Sequence, residues 1–266
     1  MASEPRAPRL AVLIDADNAS ARIAPGLFEE IAKIGEASVR RIYGDFSGTR
    51  LKSWGDILST HAIMPHHNPA YTTGKNASDI ALVIDAMDLL HSGRFDGFCL
   101  VSSDSDFTRL AARIREQGID VYGFGEQKTP ESFRQACRRF IYTENLLPEA
   151  PAPDEPERAD ARPAFVPRPI RLAVPLIRTA ISQLDDEEGW VSLGRVGQRL
   201  AILASDFDPR TFGHAKLSSL VEKTGAFDVR QIEGRHMQIR TRAAAAAASG
   251  GRAQAPRGAG RPKSGS

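Results

Sequence analysis

Only two cysteines, Cys99 and Cys137, occur among the 266 residues. They offer neither a disulfide framework nor a cysteine-type zinc site. Cys99 lies in the apolar run FCLV and reads as core. No stretch reaches the roughly 18 consecutive apolar residues of a transmembrane helix, so no membrane partner is expected. The start, MASEPRAPRL, lacks the long apolar segment of a signal peptide, which makes the cytoplasm the default expectation. Net charge is also nearly absent. A formal +2 is too small to argue for a partner by itself. Its distribution says more: Arg240, Arg242, Arg252, Arg257, Arg261 and Lys263 follow one another with no acid between them. Such a tail favours polyanions, although plain solvation explains it as well.

What the chain does have is the balance of a globular protein, 41% hydrophobic and 26% charged, with length for one large domain or two smaller ones. The first half alternates strand-like and helix-like segments. LAVLID (10–15) is continuously apolar, as in a strand covered on both faces. APGLFEEIAKIG (24–35) has helical spacing and ends on glycine. ASVRRIYG (37–44) reads as a strand, GTRLKSWGDILSTH (48–61) as a helix with Leu51, Trp54 and Leu58 inward, and AIMPHH (62–67) as a strand. SDIALVIDAMDLLHSG (78–93) is a long helix. Ile80, Val83, Ile84, Met87 and Leu90 mark one face, and Asp85 and Asp88 a solvated one. GFCLVSS (97–103), FTRLAARIREQG (107–118), IDVYGFG (119–125), TPESFRQACRR (129–139) and FIYT (140–143) continue the alternation. Strands separated by helices imply crossovers and a parallel sheet, an α/β fold.

Residues 148–169 hold seven prolines and read as a stiff linker. Beyond it, LIRTAISQL (176–184), WVSLGRVGQRLAIL (190–203) and PRTFGHAKLSSLVEKTG (209–225) are helical. FDVRQIEGRHMQIR (227–240) reads as a hairpin about Glu233–Gly234–Arg235. Three helices and a hairpin suggest a small winged helix-turn-helix. From Ala243 onward the Ala-, Gly-, Pro- and Arg-rich sequence reads as disorder.

The chemistry lies in carboxylates. In an open parallel sheet, ligands bind outside the carboxyl ends of the strands. Asp15 and Asp17 end the first strand in LIDADN, Asp104 and Asp106 follow the strand in LVSSDSDF, and Asp79 opens the long helix. If those strands are neighbours, the acids converge, and pooled negative charge needs a cation. Oxygen ligands favour Mg²⁺ or Mn²⁺, which suits phosphodiester hydrolysis. Each acid has a plainer role too. Asp79 favours a helix dipole, Asp17 is a turn or cap residue, and Asp106 caps the helix at Phe107. Asp15, ending an apolar strand, is the hardest to explain that way.

VLIDADN, KNASDIALVIDAMDLL and CLVSSDSDFTRLAARIREQGIDVYGFG, in that order, resemble the NYN family of PIN-like ribonucleases over roughly residues 9–145. The resemblance implies a PIN-like Rossmannoid sheet with helices on both faces and metal-dependent cleavage of RNA. It places Asp15, Asp79, Asp104 and Asp106 at the family's acidic metal positions, Asn18 at its asparagine after the first strand, and Lys75 at a basic position before the helix acid. Asn18 would position a phosphate or a metal-bound water, and Lys75 would meet a backbone phosphate. Asp17 has no clear counterpart. His66 and His67 could touch RNA. As a pair they also raise a zinc reading, for which no third ligand has suitable spacing.

GWVSLGRVGQRL, FDPRTFGHAKLSSLVEKTGAFDV and GRHMQIR resemble the OST-HTH (LOTUS) domain over about residues 170–242. That family is a winged helix associated with RNA binding. Arg210, His214, Lys216 and Lys223 would present a basic helix face, with Arg235 on the wing. Asp185, Asp186, Glu187 and Glu188 nearly cancel that charge. Trp190, Phe212 and Phe227 read as core, and no stripe of interleaved aromatic and basic residues is visible.

Three functions are therefore weighed. The first is a metal-dependent ribonuclease with an RNA-binding accessory domain. The second is a phosphatase forming an aspartyl-phosphate on Asp15 of the Asp-x-Asp, disfavoured because the chain enters a helix soon after Asn18 and leaves little room for a lid. The third is a non-catalytic RNA-binding protein. Endo- or exonuclease action, one metal or two, the RNA itself and the oligomeric state, homo-oligomer included, are not set by the sequence.

Overall fold

The structure is a computed structural model that describes residues 6–67, 77–147, 166–184, 189–232 and 236–242. Six strands form one parallel sheet: β1 (Arg9–Asp15), β2 (Glu36–Gly44), β3 (Met64–His67), β4 (Gly97–Val101), β5 (Asp120–Gly125) and β6 (Arg139–Tyr142). Their spatial order is β3-β2-β1-β4-β5-β6, so the winding reverses between β1 and β4. Every pairing is parallel. β1 and β4 are buried along nearly their whole length, as two helical layers require. One face packs Val12, Ile14, Cys99 and Val101 against α1 (Ala24–Ala32) and Trp54 of the short α2 (Lys52–Gly55). The other packs Leu13, Phe98 and Leu100 against α3 (Ala77–His91), α4 (Thr108–Glu116) and α5 (Glu131–Ala136).

Three expected elements of this domain come out differently. The helix expected over 48–61 is one turn, α2, followed by turns that end at Ala62 with φ 50°. The helix expected over 129–139 stops at Ala136, because Cys137 is already extended and leads into β6. The third difference is rotational. α3 exists as expected, but Ile80 and Ile84 are 60% and 55% exposed, while Leu82, Ala86 and Leu89 are buried. Apolar residues surround this helix, so periodicity cannot choose its inner face. Polar contacts do. Arg41 Nη1 and the Tyr43 hydroxyl both donate to Asp85 Oδ2 at 2.7 Å. Asp85 is therefore a tether between α3 and β2 rather than part of a solvated face. Burial, and after it the bond to Asp85, push the Tyr43 hydroxyl pKa well up.

The second domain has α6 (Ala173–Ser182), α7 (Leu193–Leu203) and α8 (Leu217–Thr224) around Ile177, Val196, Leu200, Leu220 and Val221. The expected helix over 209–225 is split by Gly213, whose φ of 78° is the left-handed region that glycine adopts without strain. A three-stranded sheet, β7-β9-β8, combines β7 (Val191–Ser192) with the expected hairpin, β8 (Phe227–Ile232) and β9 (His236–Thr241). The sheet and three helices are the expected winged-helix elements. Phe212 and Phe227 are core, but Trp190 is only half-buried. The linker expected over 148–169 lies mostly outside the described residues.

The loop after α7 docks this domain on β6. The Phe140 N–H donates to Ser205 O at 2.8 Å, and the Ser205 hydroxyl donates to Arg134 O at 2.7 Å. Asp206 pairs with Arg134 and accepts from the Tyr142 hydroxyl. Arg168 stacks over the Tyr142 ring at 5.2 Å. Burial and the bond to Asp206 push Tyr142 up to about 12. Arg210 reaches across to Glu30 at 3.1 Å.

Candidate active site

The crevice where the winding reverses is the expected ligand position in such a sheet, and the acids collect there. Asp15 is the last residue of β1 and 1% exposed. Its Oδ2 accepts from the Ser102 hydroxyl at 2.7 Å and from Asn18 Nδ2 at 2.8 Å, and its Oδ1 accepts from the Asp17 N–H at 3.2 Å. Burial raises the Asp15 pKa, the Ser102 and Asn18 hydrogen bonds oppose the rise, and the charge of Asp17 adds to it. A carboxylate has about four lone-pair sites, so Asp15 retains roughly one for a further partner.

Ser102 follows β4, the strand beside β1. Its oxygen also accepts the Asp104 N–H at 3.0 Å. One hydroxyl thus joins two of the acids. Sequence reasoning assigned Ser102 and Ser103 no role. The missed signal was a hydroxyl residue two positions before an acid at a strand end. Ser103 accepts the Glu126 N–H at 2.8 Å, which ties this turn to the end of β5. The approach is close: a Cβ on Gly125 would stand 2.5 Å from Ser102 O. Asp104 caps the 3-10 turn Ser105–Phe107 by accepting the Asp106 N–H at 2.9 Å. The capping role expected of Asp106 therefore belongs to Asp104.

Asp79, in the first turn of α3, completes the group. Its pKa is pushed up to about 6 by burial, then by the charges of Asp15, Asp104, Asp17 and Asp106 in that order. The five carboxylates therefore share one field. They do not form a cage: among the described residues, no three His, Cys, Asp or Glu side chains are grouped to hold a metal ion. Asp17 also pairs with Arg50.

The remaining expected residues divide. His66 and His67 are successive on β3 and point to opposite faces. His66 lies 3.4 Å from Asp85 and against the Tyr43 ring, while His67 Nδ1 accepts the Phe46 N–H at 3.1 Å. A shared zinc ion is thus not supported. Lys75 and Arg235 lie outside the described residues. His214 is half-buried and Lys216 exposed at the start of α8. Arg210 departs from its expected place on an RNA-facing helix. It sits in a 3-10 turn, and its guanidinium is engaged by Asp208 and Glu30, which hold its pKa up.

No helix among the described residues is long and apolar enough to cross a membrane. No curated protein matches the chain. Among solved structures, a crystal structure of a protein of unknown function from Vibrio parahaemolyticus is 20% identical over 53% of this chain and 96% of its own, with a TM-score of 0.44. A solution structure of an uncharacterized Nitrosomonas europaea protein is 27% identical over 36% and 91%, with a TM-score of 0.25. The NYN domain matches residues 9–146 and the OST-HTH/LOTUS domain residues 169–239. With the six-stranded parallel sheet, the acids at its winding reversal and just over half of the chain within the match, this protein belongs to the NYN family of PIN-like nuclease domains and carries an OST-HTH/LOTUS domain after it.

Proposed function

We propose that the chain is a metal-dependent ribonuclease that hydrolyses RNA phosphodiester bonds, with its second domain holding the RNA. The observation that carries this reading is the field at Asp79. Burial and, after it, the charges of four other carboxylates raise its pKa to about 6. A fold gains no stability from such an arrangement, and a cation offsets it.

The donor set fits Mg²⁺ or Mn²⁺, being all oxygen. Asp15, Asp79, Asp104 and Asp106 would supply its carboxylates, and because they are not already grouped as a cage, the ion would have to draw them together. When bound, it would stabilise charge on a phosphoryl oxygen and make water more acidic. The protein's own part is positioning. Asn18 and Ser102 fix the Asp15 carboxylate, so it needs no reordering when substrate arrives. Asp104 is fixed by its capping bond. The raised pKa of Asp79 belongs to the crevice without an ion, and a bound cation would lower it and keep Asp79 ionised as a ligand. Burial of Asp15 opposes the phosphatase reading, because a nucleophile must reach its phosphorus.

The test is cleavage of end-labelled RNA with and without Mg²⁺ or Mn²⁺, by the unaltered chain and by Asp104→Asn. Metal-stimulated cleavage lost in the variant is expected. Equal cleavage by both proteins overturns the assignment. RNA binding without metal-stimulated cleavage assigns the chain to the non-catalytic alternative.

A further inference from the structure

The outer face of the β7-β9-β8 sheet carries a grouping that the sequence does not show. The guanidinium carbons of Arg230 and Arg240 lie 4.3 and 4.6 Å from the centre of the Trp190 ring. The three residues come from three neighbouring segments. Trp190 precedes β7, whose Val191 pairs with Ile239, and the pairs Asp228–Arg240 and Arg230–Gln238 set the two arginines diagonally across β8 and β9. Alternation sends Phe227 and Ile239 to the core, and Arg230 and Arg240 outward. Arg242 joins them by pairing with Asp228.

We propose that this face binds single-stranded RNA, with the guanidinium planes of Arg230 and Arg240, backed by the Trp190 ring, meeting its bases and phosphates. The proposal rests on the RNA-binding half of the reading above and is independent of cleavage. Three observations support it. First, Arg230 and Arg240 donate through Nε to Gln238 and Asp228. Among the described residues their terminal N–H groups have no hydrogen-bond partner. Stacking on the indole orders these side chains before any ligand arrives. Second, among the described residues three arginines, Arg230, Arg240 and Arg242, share this face with one carboxylate, Asp228, which pairs with Arg240 and Arg242 only. Third, docking leaves the face open. Among the described residues, the hydrogen bonds, ion pairs and ring contact between the domains involve Ser205, Asp206, Arg210, Thr211 and Arg168, none of them on this sheet. An indole beside guanidinium groups suits unpaired bases, which have free π-faces, better than a duplex.

The test uses the full chain carrying Asp104→Asn, so that RNA survives the titration, and a fluorescein-labelled single-stranded oligoribonucleotide. Trp54 is 1% exposed and donates its Nε1–H to Ala19 O, so quenching of tryptophan emission by RNA reports Trp190. Quenching is expected, with Trp190→Ala weakening binding roughly 5- to 100-fold and Trp190→Phe much less. Arg230→Gln with Arg240→Gln should flatten the salt dependence by about 1.4 in log–log slope. Thermal melts matching the parent establish that the variants fold. Unquenched emission, with affinity and slope unchanged in folded variants, overturns the proposal. So does quenching by polyglutamate but not RNA, which assigns the face to an acidic protein. Because cleavage plays no part, an inactive chain that still shows the three effects supports this site while the nuclease reading fails.

Discussion

The Ser102 hydroxyl bonds Asp15 Oδ2 at 2.7 Å, and Asp15 itself is almost wholly enclosed. A donor from the neighbouring strand therefore keeps a buried carboxylate from rising further toward neutrality. Ser102→Ala removes that donor and also frees the Asp104 N–H. Cleavage should fall about 10- to 100-fold, the usual cost of losing such a support. The rate profile should shift to higher pH, because Asp15 holds its proton longer. A profile with the same midpoint would show that Ser102 only packs.

Asp79 sets a stability trend. Its folded pKa of about 6 lies above its ordinary 3.8. The folded state therefore binds the proton more tightly, and this contribution is complete below pH 3.8 and is lost as pH rises through about 6. Solvent screens this half-exposed group, so the effect is modest. Asp79→Asn should raise the metal-free Tm at pH 7.5 by roughly 2–4 °C, with the gain vanishing below pH 4. Differential scanning calorimetry across pH checks it. Added Mg²⁺ should raise the parent's Tm more than the variant's.

Asp85 acts at a distance from the crevice. Asp85→Ala leaves the buried Tyr43 hydroxyl and Arg41 without their acceptor, a loss of about 1–3 kcal/mol. Because α3 also carries Asp79, kcat should fall while KM changes little. Asp85→Asn should restore much of the stability, since an amide oxygen still accepts both bonds.

Arg210 separates docking from RNA binding. Arg210→Gln leaves Glu30 with Lys33 and Arg139. In the parent, Lys33, Arg210 and Arg139 together outweigh the burial of the Glu30 carboxylate and hold it below its ordinary value. The variant should lose about 1–3 kcal/mol by denaturant unfolding and keep the parent's salt slope for RNA. A flattened slope would return Arg210 to the RNA surface.

Much of this molecule is legible in its residues. Continuous apolar runs announce β1 and β4 because both faces are covered, and the acids at their ends stand out against that background. α3 shows the limit. With apolar residues all round, its orientation depends on a tertiary contact between Asp85 and β2. Ser102 shows another limit, since its partner is 87 positions away. The Trp190 grouping is hidden for the same reason. Its arginines are ten residues apart and meet only through the register of a hairpin.

One consequence concerns the bond from the Phe140 N–H to Ser205 O. β6 ends the six-stranded order, so one side of it has no strand beside it. The loop after α7 acts there as a stopper. A fragment ending near residue 146 would bare a row of main-chain donors and acceptors, an invitation to strand addition by a second copy. Such a fragment should self-associate in sedimentation velocity where the full chain does not. The C-terminal domain would then guard the solubility of its neighbour as well as serving a ligand of its own.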